Sequence, residues 1–168
     1  MKLTAKRIKG LVERLIGPEA VPVVDMIKDD ENVSEFLISK KLKQDIQVIR
    51  NILYRLHKHD LVSYKRVKDR KKGWYIGYWT FNKRHAKILY QDMNATELER
   101  YQQRLEEELA YLNNFYLCKN MCVRMNFERA ASVNFTCPEC GTVLDNQNNE
   151  RTVEQLKMKI KEIQAVQG

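Results

Sequence analysis

All four cysteines of this chain fall within 23 residues, as Cys118, Cys122, Cys137 and Cys140, two close pairs with fourteen residues between them. Two tight turns that each offer a pair of sulfurs supply the tetrahedral thiolate geometry that Zn2+ prefers, without needing a large core. The second pair, Cys137-Pro138-Glu139-Cys140-Gly141, has the marks of a zinc knuckle: proline stiffens the turn and glycine permits positive φ. Residues 123–127, 133–136 and 142–144 are then expected to be the short strands of a ribbon. A structural disulfide pair is disfavoured by the redox poise inside a cell, and a catalytic dithiol lacks the strand-helix setting that such motifs use. An iron-sulfur cluster is the main remaining alternative to structural zinc. Four thiolates leave no open position for a metal-bound water, so the site reads as a folding device worth on the order of 10 kcal/mol, and not as a reaction centre.

The rest of the 168 residues must supply whatever core the ribbon lacks. Ile8, Leu11, Val12, Leu15 and Ile16 recur at helical spacing and are closed by Gly17-Pro18. Pro18 and Pro22 fit the start of a second helix carrying Ala20, Val24 and Ile27, and Ser34 is a credible N-cap for a third carrying Leu37 and Ile38. Asp45 to His59 reads as a longer helix with Ile46, Ile49, Ile52, Leu53 and Leu56 on one face. Leu61–Val67 and Trp74–Phe81 follow as strands, separated by the polar turn Lys68-Asp69-Arg70-Lys71-Lys72-Gly73. Three helices, a recognition-type helix and a β-hairpin form the winged-helix order.

From about Lys83 the helical period returns, with Leu98, Leu105 and Leu112 seven apart. The Glu106–Glu108 run reads as a solvated helix face. After the cysteines, residues 145–149 read as a polar linker, and Val153, Leu156, Ile160 and Ile163 mark a final amphipathic helix. The expected fold is mainly α with small β: a winged-helix domain (1–82), a helical linker (83–117), a zinc ribbon (118–145), and a linker with a terminal helix (146–168).

Residues 1–90 carry a net charge of +11 within a chain total of +8. Clustered Lys and Arg displace counterions and steer encounter, so a basic front half favours nucleic acid or an acidic protein surface. No apolar run approaches the ~20 residues that span a bilayer, and the charged start lacks the apolar stretch of a secretory signal. The expected location is the cytoplasm, with no membrane partner.

In the hairpin, Trp74, Tyr75, Tyr78, Trp79 and Phe81 fall within eight residues, beside Arg66, Lys68, Arg70, Lys71 and Lys72. Alternation sends Trp74, Ile76 and Tyr78 to one face and Tyr75, Trp79 and Phe81 to the other, and both faces cannot be core in a two-stranded wing. Aromatic surface among cations can stack on splayed bases or bury against a protein partner; the alternative is that these rings pack on the helices. Arg50, Arg55 and Lys58 are thinly spread along the long helix. Base reading in the major groove, for which Gln44, Gln47 and Asn51 are also available, is therefore the second reading. His57, His59 and His85 have no nucleophile, acid or ligand partner at a telling distance, and no Gly-rich phosphate loop occurs. No catalytic constellation is evident, which leaves a zinc-dependent enzyme subunit as a weak third reading.

Several stretches are similar to archaeal transcription factor E, counterpart of the alpha subunit of TFIIE. They are Trp74-Tyr75-Ile76-Gly77-Tyr78-Trp79, Cys122-Val123-Arg124-Met125-Asn126-Phe127-Glu128-Arg129-Ala130, and Phe135-Thr136-Cys137-Pro138-Glu139-Cys140-Gly141 with Leu144. One departure is the first cysteine pair, separated by three residues where that family commonly has two. The resemblance implies a non-enzymatic initiation factor, bound to RNA polymerase, that promotes or stabilises promoter opening together with TBP and TFB. It further implies contact of the winged helix with the polymerase clamp, and of the wing, through Trp74, Tyr75, Tyr78 and Trp79, with upstream non-template DNA. It also implies, in some archaea, a beta subunit as partner.

Overall fold

Thr4 starts the first helix, its Oγ1 accepting from the Arg7 N–H at 3.4 Å, and α1 (Ala5–Leu15) turns Ile8, Leu11 and Val12 inward. The computed structural model describes residues 3–68, 73 and 75–167, and the chain divides into two units, Met1–Asp92 and Met93–Gly168. Gly17 ends the first segment at φ 132°, a conformation that a side chain rarely adopts. A 3-10 turn (Pro18–Ala20) leads into α2 (Val21–Ile27). Next come β1 (Val33–Ser34), α3 (Glu35–Leu42) and α4 (Ile46–Lys58), the last capped by Asp45 Oδ1, which accepts from the Gln47 N–H at 2.7 Å. Ser34 does precede α3, but its side chain makes no capping bond; its residue pairs instead with Tyr78 across the sheet.

The hairpin strands are β2 (Val62–Lys68) and β3 (Tyr75–Phe81), and β1 adds a third strand on the far side of β3. All pairings are antiparallel, with Tyr64 opposite Trp79 and Arg66 opposite Gly77. This is the winged-helix arrangement. Leu11, Ile27, Ile38, Ile49, Leu53, Leu56 and Leu61 are fully buried, each contributing about 1.5–3 kcal/mol through burial.

The third strand overturns one expectation about the wing. Because β3 is central and α4 covers its inner face, Trp79 is wholly buried, its ring 4.7 Å from Tyr64, 5.6 Å from Tyr54 and 6.1 Å from His57. Trp79 is a core residue and presents nothing to a partner. Phe81 is likewise buried. Gly77 is fixed by close approach: a Cβ there would sit 2.9 Å from both Glu35 Oε2 and Tyr64 Cε2.

Helix α5 (Lys83–Ala110) runs from the first unit into the second. It stops sooner than its leucine spacing suggests, with Asn113 in the left-handed region at φ 58°. Residues expected to be helical then form β4 (Phe115–Cys118), the middle strand of a sheet with β5 (Arg124–Asn126) and β6 (Leu144–Gln147). The expected strand at 123–127 is thus shorter, and α6 (Phe127–Ser132) begins inside it, capped by Asn126 Oδ1 accepting from the Arg129 N–H. Residues 133–136 contribute only a bridge from Thr136 to Val143, since Asn134 and Phe135 both have positive φ. The supposed linker 145–149 is largely β6, and α7 (Glu150–Gln167) closes the chain with Val153, Leu156 and Ile160 buried.

The Glu106–Glu108 run is only partly a solvated face, because Glu108 is 2% exposed. Its two carboxylate oxygens accept from Arg124 Nη1 and Nη2, both at 2.9 Å, and Asn149 Nδ2 donates to Glu108 Oε2 at 2.7 Å and to its carbonyl at 2.9 Å. Arg124 Nε also donates to Gln147 Oε1, and its guanidinium lies 3.7 Å over the Phe115 ring. Burial by itself raises the Glu108 carboxyl, but Arg124 and Asn149 outweigh it and hold it below the usual carboxylate range. The pair therefore contributes fully above that range and weakens as acid protonates Glu108. Arg124→Ala leaves a buried carboxylate uncompensated, and urea unfolding of the second unit is expected to show a loss of about 2–4 kcal/mol.

Candidate metal centre and wing

The β4–β5 hairpin and the turn before β6 carry the four cysteines to one point. Their Sγ atoms all lie within 4.8 Å of one another, with Cys118 and Cys137 buried and Cys122 and Cys140 exposed. Cys118 Sγ and Cys140 Sγ are 3.5 Å apart. Four sulfurs at tetrahedral Zn–S distances would lie ~3.8 Å apart, so the cluster fits a single four-coordinate ion. The first turn is closed by the Met121 N–H donating to the Cys118 carbonyl at 2.9 Å, with Met121 at φ 59° taking up the extra residue between the sulfurs. The second is closed by the Gly141 N–H on the Cys137 carbonyl at 2.9 Å, with Gly141 at φ 72°.

The sulfurs are electrostatically unequal. The Thr142 hydroxyl and N–H, with the Asn120 amide, bring Cys140 down to about 5. Its hydrogen bond to Cys140, followed by desolvation, pushes Cys122 up to about 12. Burial raises Cys137 even though the N–H groups of Cys140 and Glu139 favour its thiolate. A divalent cation held there would replace the protons that this packing of like charges retains. Asn120 is a contributor that the sequence reading missed; an amide inside a cysteine turn carries no signal of its own.

In the first unit, Tyr75 is 51% exposed and Arg66 stacks 4.0 Å over its ring. Lys68 is exposed and Tyr78 half-buried, and strand alternation places Tyr78 on the opposite face from Tyr75. Arg70, Lys71, Lys72 and Trp74, also expected at this surface, lie outside the described residues. On α4, Arg50 Nη2 and Nε donate to the buried Glu35 at 2.6 and 3.1 Å. Arg55 donates to Glu19 at 2.7 Å and to the Ile16 carbonyl. Two of the three cations expected on that helix are thus tied to the protein itself.

Fold and site together define a winged-helix protein that carries a four-cysteine ribbon able to hold a metal ion. The family described as the TFIIE alpha subunit matches residues 6–114. Proteins described as transcription factor E are similar along nearly the whole chain: that of Metallosphaera sedula is 32% identical over 94% of this chain and 89% of its own. That of Haloarcula marismortui is 32% identical over 93% and 87%, and that of Pyrococcus abyssi 29% over 95% and 83%. The chain belongs to the TFIIE alpha family, in its archaeal transcription factor E form, a family of transcription initiation factors. A solved structure from Methanosarcina mazei, described as a possible transcriptional regulator, covers 61% of this chain and 85% of its own at 18% identity and a TM-score of 0.51, a likeness of fold. Among the described residues no helix is long and apolar enough to cross a membrane.

Cys137→Ser removes a buried ligand. Metal analysis after dialysis is expected to find less than a tenth of the wild-type content, with loss of structure confined to the second unit and the winged helix still folded by near-UV circular dichroism at its tryptophans.

Proposed function

We propose that this chain binds the clamp of RNA polymerase through its winged helix (1–82) and promotes or stabilises promoter opening with TBP and TFB, acting without catalysis in the cytoplasm. The four cysteines hold one structural Zn2+, which keeps the ribbon folded as an attachment surface; that surface and the helical segment offer a site for a beta subunit where one exists. Membership of the initiation-factor family supports this reading. The observation that carries it beyond the family is the wing: Tyr75, half exposed and flanked by Arg66 and Lys68, offers a flat ring with adjacent cations to an unpaired strand. Trp74, Arg70, Lys71 and Lys72 extend that surface in sequence, and Tyr78 serves its other face.

The mechanism is a shift of equilibrium. A wing that holds unpaired non-template bases has differential affinity for the open state, and each base stacked on an aromatic ring is worth about 1–3 kcal/mol. Sequence-specific recognition of duplex is the weaker reading, because Arg50 and Arg55 are bound to Glu35 and Glu19 and so are withdrawn from base edges. Replacing Trp74 and Tyr75 together by Ala is expected to lower the open fraction by at least about fivefold in the opening equilibrium. Permanganate reactivity of bubble thymines measures this, with zinc content and polymerase co-purification unchanged. Undiminished reactivity would contradict the role assigned to the wing.

A further inference from the structure

The sulfurs of the ribbon each need hydrogen-bond donors, because a thiolate-bound dication leaves excess negative charge on its ligands and outer donors that neutralise it raise affinity. In the second turn the carbonyl of Cys137 is closed by the Gly141 N–H at 2.9 Å, and the Thr142 hydroxyl lies beside Cys140. The first turn is one residue longer and arranged differently. Its Asn120 N–H points at Cys118 Sγ at 3.4 Å, while its side-chain Nδ2 leaves the turn and reaches Cys140 Sγ at 3.5 Å and Thr142 Oγ1 at 3.3 Å. Thr142 Oγ1 itself lies 3.4 Å from Cys140 Sγ. Asn120 therefore touches one sulfur of each pair, and Asn120, Thr142 and Cys140 close a triangle across the gap between the two turns.

We infer that Asn120 is a positioning residue of the metal centre, its side-chain amide clasping the first cysteine turn to the second and donating to the Cys140 thiolate. The inference rests on the reading of the four cysteines as a metal site. Three features of the structure assign this role to Asn120 and not to its neighbours. Lys119 turns outward to Asp145, 3.6 Å away, and Met121 is 75% exposed. Asn120 is itself exposed, so its side chain is held by these polar contacts and not by packing. A side chain in that position that formed only a turn would have no reason to span 20 residues of sequence to a second cysteine.

Donation and turn formation separate cleanly by substitution. Asn and Asp are equally suited to turns, but an aspartate in this place offers the sulfur a carboxylate where the amide offered N–H. The full chain, stripped and reloaded, is titrated with Zn2+ against a chromophoric chelator, and with Co2+ to follow the thiolate charge-transfer bands. Asn120→Ala is expected to weaken metal affinity by about 10–100-fold, as loss of an outer-shell partner does, and Asn120→Asp by at least as much. Met121→Ala, in the same turn, is expected to stay within about twofold of wild type, and Thr142→Val to lose less when Asn120 is already Ala than when it is present. Wild-type affinity in Asn120→Asp would reduce Asn120 to a turn former and overturn the inference, and so would an Asn120→Ala variant within twofold of wild type. If Asn120→Ala takes up no metal at all, the Asp variant still decides. A wild-type chain that binds neither ion would instead sink the metal reading, a different failure.

Discussion

Four sulfur atoms gathered within 4.8 Å are the constraint on which the second unit depends. The buried cluster around them is Cys118, Met125, Ala130, Cys137 and Leu144, with the partly buried Tyr116, Val123, Val133 and Phe135 packed against it, so two of its five buried members are the cysteines themselves. Strands of three and four residues bury little surface of their own. A dication held by the four sulfurs, as proposed, would supply what packing does not, at the β4–β5 turn. That turn in turn fixes Arg124, two residues past Cys122, against Glu108. Because Asn149 donates to the same carboxylate just before α7 begins, the end of α5, the hairpin and the start of α7 meet at one buried charge. The cysteine turn and the helices are thereby linked through a single arginine.

The sequence reveals this unit unevenly, for identifiable reasons. Cysteine spacing located the site because ligand chemistry depends on residue type and spacing alone, and the sulfurs do converge. Short strands were harder: residues 133–136 looked like one, yet positive φ at Asn134 and Phe135 breaks the ladder, and Asn or Phe gives no warning of it as Gly would. Residues 115–117 followed a leucine spacing seven apart and so read as the end of the helical linker, whereas pairing on both edges with β5 and β6 makes Phe115–Cys118 a central strand. Glu108 did leave a trace. Leu98, Tyr101 and Leu105 set a three-four seam on α5 that Glu108 continues, while Glu106 and Glu107 fall off it. A charged residue on an apolar seam signals a buried partner, but that partner, Arg124, is separated by a turn and a strand.

In the first unit the helices were legible from their regular apolar stripes, and the expected 45–59 closely matches α4 (Ile46–Lys58). The wing was misjudged at one position by a missing strand. With two strands, half of its aromatics must face solvent; with Val33 and Ser34 added beside β3, the sheet has a central strand whose inner face α4 covers. Val33-Ser34 is too short to show a period of two, so nothing in the sequence marks it as a strand. Trp79 moves from surface to core as a direct result, and Tyr75, at the open end of the same face, does not.

That distribution bears on how a basic domain can serve transcription without reading sequence. Net charge states only that anions are attracted, whereas recognition depends on which cations remain unbound. Arg50 and Arg55 are held in ion pairs with Glu35 and Glu19, and Arg66 lies on a tyrosine ring. A guanidinium stacked on an aromatic face keeps its charge while presenting a broad, flat edge, suited to a base or a phosphate of any sequence. With Arg50 and Arg55 paired inside the domain and Tyr75, Arg66 and Lys68 exposed on the wing, the described residues favour the proposed contact with an unpaired strand over groove reading by α4.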